Sequence, residues 1–230
     1  MSETIDLIAA DGTRIPAHVA KPAGKPKGGL VVVQEIFGVN QHIRAVADGY
    51  AKDGYLAVAP HIFHRAQPGV ALGYGQQDIA AAIVYKQKVD ALPAPGILQD
   101  IQAAIDYANR GSGGKTAIVG YCWGGLLSWR AACGLNGLAA AVTYYGGGMT
   151  TIPEEVARQP KVPVLSHFAD HDQHIPVPKV EAFKKQHPDI LLYMYAADHG
   201  FNCDLRDAWN PEAAKLARER TLAFLAKHVG

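Results

Sequence analysis

The sequence predicts an α/β fold with a mostly parallel central sheet and helices on both faces. Three observations predict it. Six short, nearly continuous apolar runs recur along the 230 residues, at 30–33, 55–59, 116–121, 138–145, 162–168 and 190–195. Helical apolar spacing lies between or beside them, and a hairpin signature leads the chain. Unbroken apolar runs suit strands covered on both faces, and strand–helix alternation builds a parallel sheet with helices packed against it.

In chain order, residues 4–9 and 14–20 alternate around Asp11-Gly12, a strong hairpin signal. The segment 22–29 (PAGKPKGG) reads as a loop, too short to divide domains. Helices are expected at 40–53, 78–89, 124–133 and 178–186. Two more carry apolar residues every three or four positions: Ile97, Ile101, Ile105 and Ala108 in one, Ala213, Leu216, Ala217, Phe224 and Leu225 in the other. The segment 61–77, with Pro68, Gly69, Gly73 and Gly75, reads as a loop after a strand's C-terminal end, the edge at which open α/β sheets carry ligands. A length of 230 residues fits one domain, 1–230.

Composition narrows the function classes. Hydrophobic residues make up 49% and charged residues 19%, an ordinary globular balance. Lys+Arg number 22 against 21 Asp+Glu, and no basic run exceeds the pair Lys184-Lys185, so neither a nucleic-acid nor a membrane-surface partner is indicated. The start, MSETIDLIAADG, lacks the basic and apolar regions of a secretory signal, and no apolar run approaches a membrane span. Cys122, Cys133 and Cys203 make no disulfide framework, which suits a reducing cytoplasm. The expected state is a monomer or weak homodimer.

The most informative segment is Gly120-Tyr121-Cys122-Trp123-Gly124, between an apolar strand and a helix. It is the G-x-S-x-G nucleophile turn with cysteine for serine. Side chains at the flanking glycine positions would collide with the neighbouring strand or helix. The turn sets the thiol at a helix N-terminus, where amides and the helix dipole favour thiolate and can hold an oxyanion. The alternative is a core cysteine beside a glycine-rich turn.

Chain order decides between them. Hydrolases with this turn place nucleophile, acid and histidine in succession. After Cys122 the strand 162–168 is followed by Ala169-Asp170-His171-Asp172-Gln173-His174-Ile175-Pro176, and the last strand by Asp198-His199-Gly200-Phe201. Asp170 and Asp172 are both candidate acids. Asp172 is favoured because Asp-x-x-Ile-Pro sets the carboxylate at the turn of the loop, leaving Asp170 solvated or capping. Glu35 directly follows Leu-Val-Val-Val-Gln, which puts a carboxylate at the C-terminal end of a buried strand beside the same edge. Tyr144 and Tyr145 end a strand there and suit pocket lining or core packing equally. Cys133 and Cys203 read as packing residues.

On these residues, together with Gln34-Glu35-Ile36-Phe37-Gly38 and Tyr144-Tyr145-Gly146, the chain resembles the dienelactone hydrolase (carboxymethylenebutenolidase) family of α/β-hydrolases. The resemblance implies a small ester or lactone substrate, a Cys122–His199–Asp172 triad and no metal or organic cofactor. It implies that Glu35 bonds the resting thiol and takes its proton when substrate binds, and that the Ile36 and Trp123 amides form the oxyanion hole. One departure stands out. The family grips the substrate carboxylate with two arginines, yet residues 67–109 contain none, and the position four after His199 is Cys203. Lys86 and Lys88 are the only cations of that stretch, and Arg206 or a lysine is left to replace the missing arginines in substrate binding. A different small acyl substrate, with carboxylesterase or thioesterase activity, is therefore the alternative, and a non-catalytic binder a weaker one.

Other chemistries fit less well. A cysteine phosphatase needs arginine six residues after the cysteine, where Ser128 stands; Arg130 comes two residues late. No lysine follows Gly124-Gly125, so a phosphate-binding P-loop is absent. His167, His171, Asp172 and His174 match no standard metal-ligand spacing.

Overall fold

The structure, a computed structural model, describes all residues from Met1 to Gly230. Eight strands form one sheet: β1 (Ser2–Ile8), β2 (Arg14–Ala20), β3 (Gly29–Val33), β4 (Leu56–Pro60), β5 (Thr116–Tyr121), β6 (Leu138–Tyr144), β7 (Val164–Ala169) and β8 (Leu191–Tyr195). Their order is β1-β2-β4-β3-β5-β6-β7-β8. The β1–β2 hairpin joins β4 antiparallel, and the six strands from β4 to β8 run parallel.

Seven helices accompany them: α1 (Gln41–Lys52), α2 (Gln76–Asp90), α3 (Leu98–Ser112), α4 (Trp123–Gly134), α5 (Pro153–Val156), α6 (Val177–Gln186) and α7 (Pro211–His228). The helix starts obey local chemistry. Asn40 Oδ1 accepts from the Ile43 amide at 3.2 Å, and Asn210 Oδ1 accepts from the Ala213 amide at 3.0 Å with Pro211 opening α7. α3 and α4 pack against each other and the central strands; α1 and α7 border a common groove. Both faces of β3, β4 and β5 are consequently covered, and every residue of these strands is buried. Each fully buried valine or leucine there contributes about 1.5–3 kcal/mol relative to exposure.

The last strand departs from expectation. Its apolar run reads like an interior strand, yet β8 is the sheet's edge, with Leu191 and Met194 exposed. Arg220 lies 3.9 Å above the Tyr193 ring and covers part of that edge. The core beneath β6 and β7 is polar at its centre. Tyr144 Oη and Thr221 Oγ1 are 2.7 Å apart, while His167 reaches Thr221 Oγ1 at 3.0 Å and Tyr195 Oη at 2.8 Å. Burial pushes His167 down to about 3, so it remains a neutral member of this network.

A single 3-10 turn, Ile62–Arg65, follows β4. Its Arg65 forks between Asp100 at the start of α3, at 2.7–3.0 Å, and Asp11 in the hairpin turn, at 2.7 and 3.1 Å. Phe63 of the same turn stacks on Trp123 with ring centroids 5.3 Å apart.

Candidate active site

β5 stops at Tyr121 and α4 starts at Trp123, leaving Cys122 alone to turn the chain. It does so at φ 55°, ψ −118°, a left-handed conformation that a non-glycine residue adopts at a cost of about 1–3 kcal/mol. The turn is tight enough to forbid side chains on either side. A Cβ at Gly120 would stand 1.9 Å from the Gly124 carbonyl oxygen, and one at Gly124 would stand 2.4 Å from the Gln34 oxygen. The glycine spacing in the sequence is thus a record of backbone contact between β5, α4 and the end of β3.

The acid loop follows β7. Asp172 is buried, and its Oδ1 accepts from the His174 and Ile175 amides at 2.8 and 3.2 Å. Those bonds fix the carboxylate, and its Oδ2 lies 2.6 Å from His199 Nδ1. Asp170 is exposed, and its carboxylate pairs only with the neighbouring His171, at 3.6 Å. Between the two candidate acids, the geometry brings Asp172 and not Asp170 to the imidazole. His199 sits in the loop after β8. Burial opposes its charging, but the Cys122 sulfur and the Asp172 carboxylate outweigh it and push the imidazole up to about 10. Gly200 turns at φ 91°, and a Cβ there would stand 2.3 Å from Arg206 Nη1, so the loop folds back over its own arginine.

That arginine is engaged with Glu35. Arg206 Nη1 donates to Glu35 Oε1 at 3.2 Å, and the Tyr74 hydroxyl donates to Glu35 Oε2 at 3.3 Å. Burial and the Glu35 carboxylate keep the Tyr74 phenol protonated, as a donor must be. The implied bond from Glu35 to the resting thiol is not formed. A buried carboxylate gains more from a guanidinium and a phenol than from a weak thiol donor. Tyr74 belongs to the 61–77 loop, which β3's continuation holds directly: the Leu72 amide donates to the Phe37 carbonyl at 2.8 Å. Sequence reasoning placed this loop at the ligand edge but singled out no tyrosine in it.

The two adjacent tyrosines part company. Tyr144 turns away from His199 into the polar core beneath the sheet, bonded to Thr221 and almost fully buried, and reaches only the floor of the groove between α1 and α7. Tyr145, at φ 37°, packs edge-on against the His199 ring at 5.1 Å. Its hydroxyl is buried with no protein partner. Strand alternation sends consecutive side chains to opposite faces, which one doublet in a sequence does not orient.

The Ile36 amide donates to no protein acceptor, and Trp123 opens a helix whose first amides lack intrahelical partners. Both are available to an incoming oxygen. The histidines considered as metal ligands do not converge: both His167 nitrogens are used in the core, and His171 is exposed. Burial pushes the Cys133 thiol up to about 12, and burial with Glu35 pushes Cys203 up to about 11, which leaves both poor nucleophiles at neutral pH. A grouping that sequence spacing gave no sign of is His42, Cys203 and Asp204, with His42 Nδ1 3.1 Å from Asp204 Oδ1.

Comparison with known proteins agrees with this architecture. The model of the dienelactone hydrolase family matches residues 15–229. A carboxymethylenebutenolidase of Pseudomonas putida is 34% identical, over 98% of this chain and 97% of its own. A crystal structure of a Klebsiella pneumoniae protein, named as a candidate dienelactone hydrolase, superposes with a TM-score of 0.85 at 30% identity, covering 99% of each chain. A dienelactone hydrolase-like promiscuous phosphotriesterase from metagenomic libraries, at 20% identity and a TM-score of 0.79, shares the fold. The chain therefore belongs to the dienelactone hydrolase family, ester-bond hydrolases built on the α/β-hydrolase fold.

Proposed function

We propose that this chain, acting as one domain, is a cysteine-dependent hydrolase of small esters or lactones. The observation that carries the reading is Asp172 Oδ2 at 2.6 Å from His199 Nδ1, with Cys122 beside the same ring on a strained turn. In this mechanism the Cys122 thiolate attacks the ester carbonyl carbon and forms a tetrahedral oxyanion. The Ile36 and Trp123 amides receive that oxygen. The oxyanion collapses, the C–O bond to the leaving alkoxide breaks, and His199 supplies its proton. Water, deprotonated by His199, then cleaves the thioester and regenerates the thiol. Asp172 holds the imidazole in the tautomer that faces sulfur with Nε2.

Glu35 is assigned the control of the thiol. A carboxylate near sulfur opposes thiolate, and pairing with Arg206 and Tyr74 draws part of that charge away. Substrate that enters against this pair, with or without a carboxylate of its own, would release Glu35 to accept the thiol proton. Because Arg206 already has an anionic partner, neutral esters and lactones are expected to turn over at least comparably to dienelactones. This favours the second reading, a carboxylesterase or thioesterase on another small acyl group. No helix is long and apolar enough to cross a membrane. The test is mass-spectrometric: an ester-like inactivator should label Cys122 alone, with matched loss of esterase activity. Labelling elsewhere, or activity that survives labelling, removes the reading.

A further inference from the structure

Beside the hydrolytic site lies a second set of the same three residue types. His42, in the first turn of α1, Cys203, four residues after His199, and Asp204 each offer one ligand atom, all within 4.8 Å of one another. His42 and Cys203 are buried at 4% and 0% exposure, while the Asp204 side chain reaches solvent. A carboxylate only accepts, so the 3.1 Å contact puts the proton of neutral His42 on Nδ1. Nε2, on the opposite edge of the ring, is buried and without any partner, so the proton can move there without breaking another bond and leave the Nδ1 lone pair facing Asp204. An ion seated between Nδ1 and the carboxylate would replace the proton they share, and neutral imidazole is the form that ligates metals.

We propose that His42, Cys203 and Asp204 form a binding site for one divalent, zinc-like transition-metal ion, with water completing the coordination. The donor set selects the class of ion. Thiolate and imidazole suit zinc and its neighbours, whereas magnesium and calcium take oxygen alone. Three protein ligands and an open position are what a four-coordinate zinc requires. Ligands held at about 2.0–2.3 Å from a tetrahedral ion stand roughly 3.3–3.6 Å apart, so the cluster closes with a shift of about 1 Å. Binding releases the Cys203 thiol proton to solvent, giving the thiolate that the ion needs. An entry path exists, because His42 and Asp204 both line the groove of about 490 Å³ between α1 and α7. Cys122 does not line this groove. The ion would tie the start of α1, at His42, four residues beyond Gly38, to the loop that carries His199 and Arg206.

Cobalt titration of the full chain, freed of metal by a chelator, tests the site. One Co²⁺ per chain should bind and give a near-ultraviolet sulfur-to-cobalt charge-transfer band, displaced by Zn²⁺. The band should persist in Cys122→Ser, vanish in Cys203→Ser, and need at least about tenfold more cobalt in His42→Ala. Absence of a thiolate band overturns the site. So does a band that survives Cys203→Ser, or one lost in Cys122→Ser, which would put the metal on the catalytic thiol. Should Cys203→Ser fail to fold, Asp204→Asn at the exposed ligand decides by thermal melting. Zn²⁺ should raise the wild-type midpoint and raise that of Asp204→Asn by less; equal shifts overturn the proposal.

Discussion

Cys122 and Cys203 each have a histidine and an aspartate at hand, yet the backbone prepares them for different work. Cys122 stands alone between a strand and a twelve-residue helix, in a left-handed conformation, with helix amides beyond it. Its histidine is held from behind by a buried, doubly anchored carboxylate. Cys203 lies in an ordinary turn, its amide donating to the Gly200 carbonyl at 2.9 Å, with no helix N-terminus behind its sulfur. Its thiol is buried near Glu35 and protonated, and the carboxylate on its histidine is on the surface. The residue types are shared; what fits Cys122 to the proposed role of nucleophile is exposure, a helix N-terminus and a fixed acid.

Substitution should expose that difference most sharply at the thiols. Cys122→Ala and His199→Ala should each lower ester hydrolysis by about 10⁴-fold or more, and the double variant should be little worse than either single one. Cys203→Ala should lose less than about tenfold in the same assay. Additive losses, or a Cys203 effect as large as that of Cys122, would reverse the assignment of roles. Next in size are the acids. Asp172→Asn should reduce kcat by roughly 10²–10⁴-fold through the wrong imidazole tautomer, while Asp170→Asn should stay within about twofold. The opposite ranking in steady-state kinetics would make Asp170 the acid.

Glu35→Gln should lower turnover by about ten- to a hundredfold and still speed alkylation of Cys122 by a small neutral reagent. Both rates are measured on the same protein, and unchanged values for both would leave Glu35 with a purely structural ion pair. A tenfold effect is expected in the proton affinity of His199. Its folded-state value near 10 lies above the ordinary 6.5, so its stabilising contribution is complete below about pH 6.5 and is lost as pH rises toward 10. Cys122→Ser removes the sulfur that helps raise it and should pull the His199 midpoint down by about one unit or more. Imidazole NMR titration, with melting points at either end of that range, checks the sign; an unmoved midpoint would mean that sulfur and ring do not interact. The smallest effect belongs to Arg206→Ala, which should raise KM a few-fold for carboxylate-bearing esters and leave neutral ones nearly unaffected. Equal changes for both would take Arg206 out of substrate contact.

Much of this architecture was legible in the sequence because strong local physics wrote it there. Asp11-Gly12 marks a hairpin, unbroken apolar runs mark covered strands, and Gly120 and Gly124 mark a backbone contact that no side chain survives. The position of Asp172 before Ile175-Pro176 marks the acid, because its Oδ1 accepts from the amides two and three residues on. What was not legible depends on where the chain returns. Nothing local tells an edge strand such as β8 from an interior one, or turns Tyr144 inward while Tyr145 faces His199. Glu35 meets Arg206 across 171 positions, and His42 meets Asp204 across 162. Such partners are products of the closed sheet, and only coordinates bring them together.

The Arg65 fork has a mechanical consequence. The β1–β2 hairpin supplies no residue to the site, yet the carboxylate in its turn grips the guanidinium of a segment whose Phe63 leans on the Trp123 indole. The hairpin is thus a strut, bracing from outside the sheet the residue that follows Cys122 and borders the proposed oxyanion position. Its two anchors differ in kind: Asp100 is shielded in the interior, whereas Asp11 stands in water where dissolved salt competes for the same charge. Rising ionic strength therefore slackens the outer anchor first, and the stiffness of the wall beside Cys122 becomes tied to the medium around the molecule.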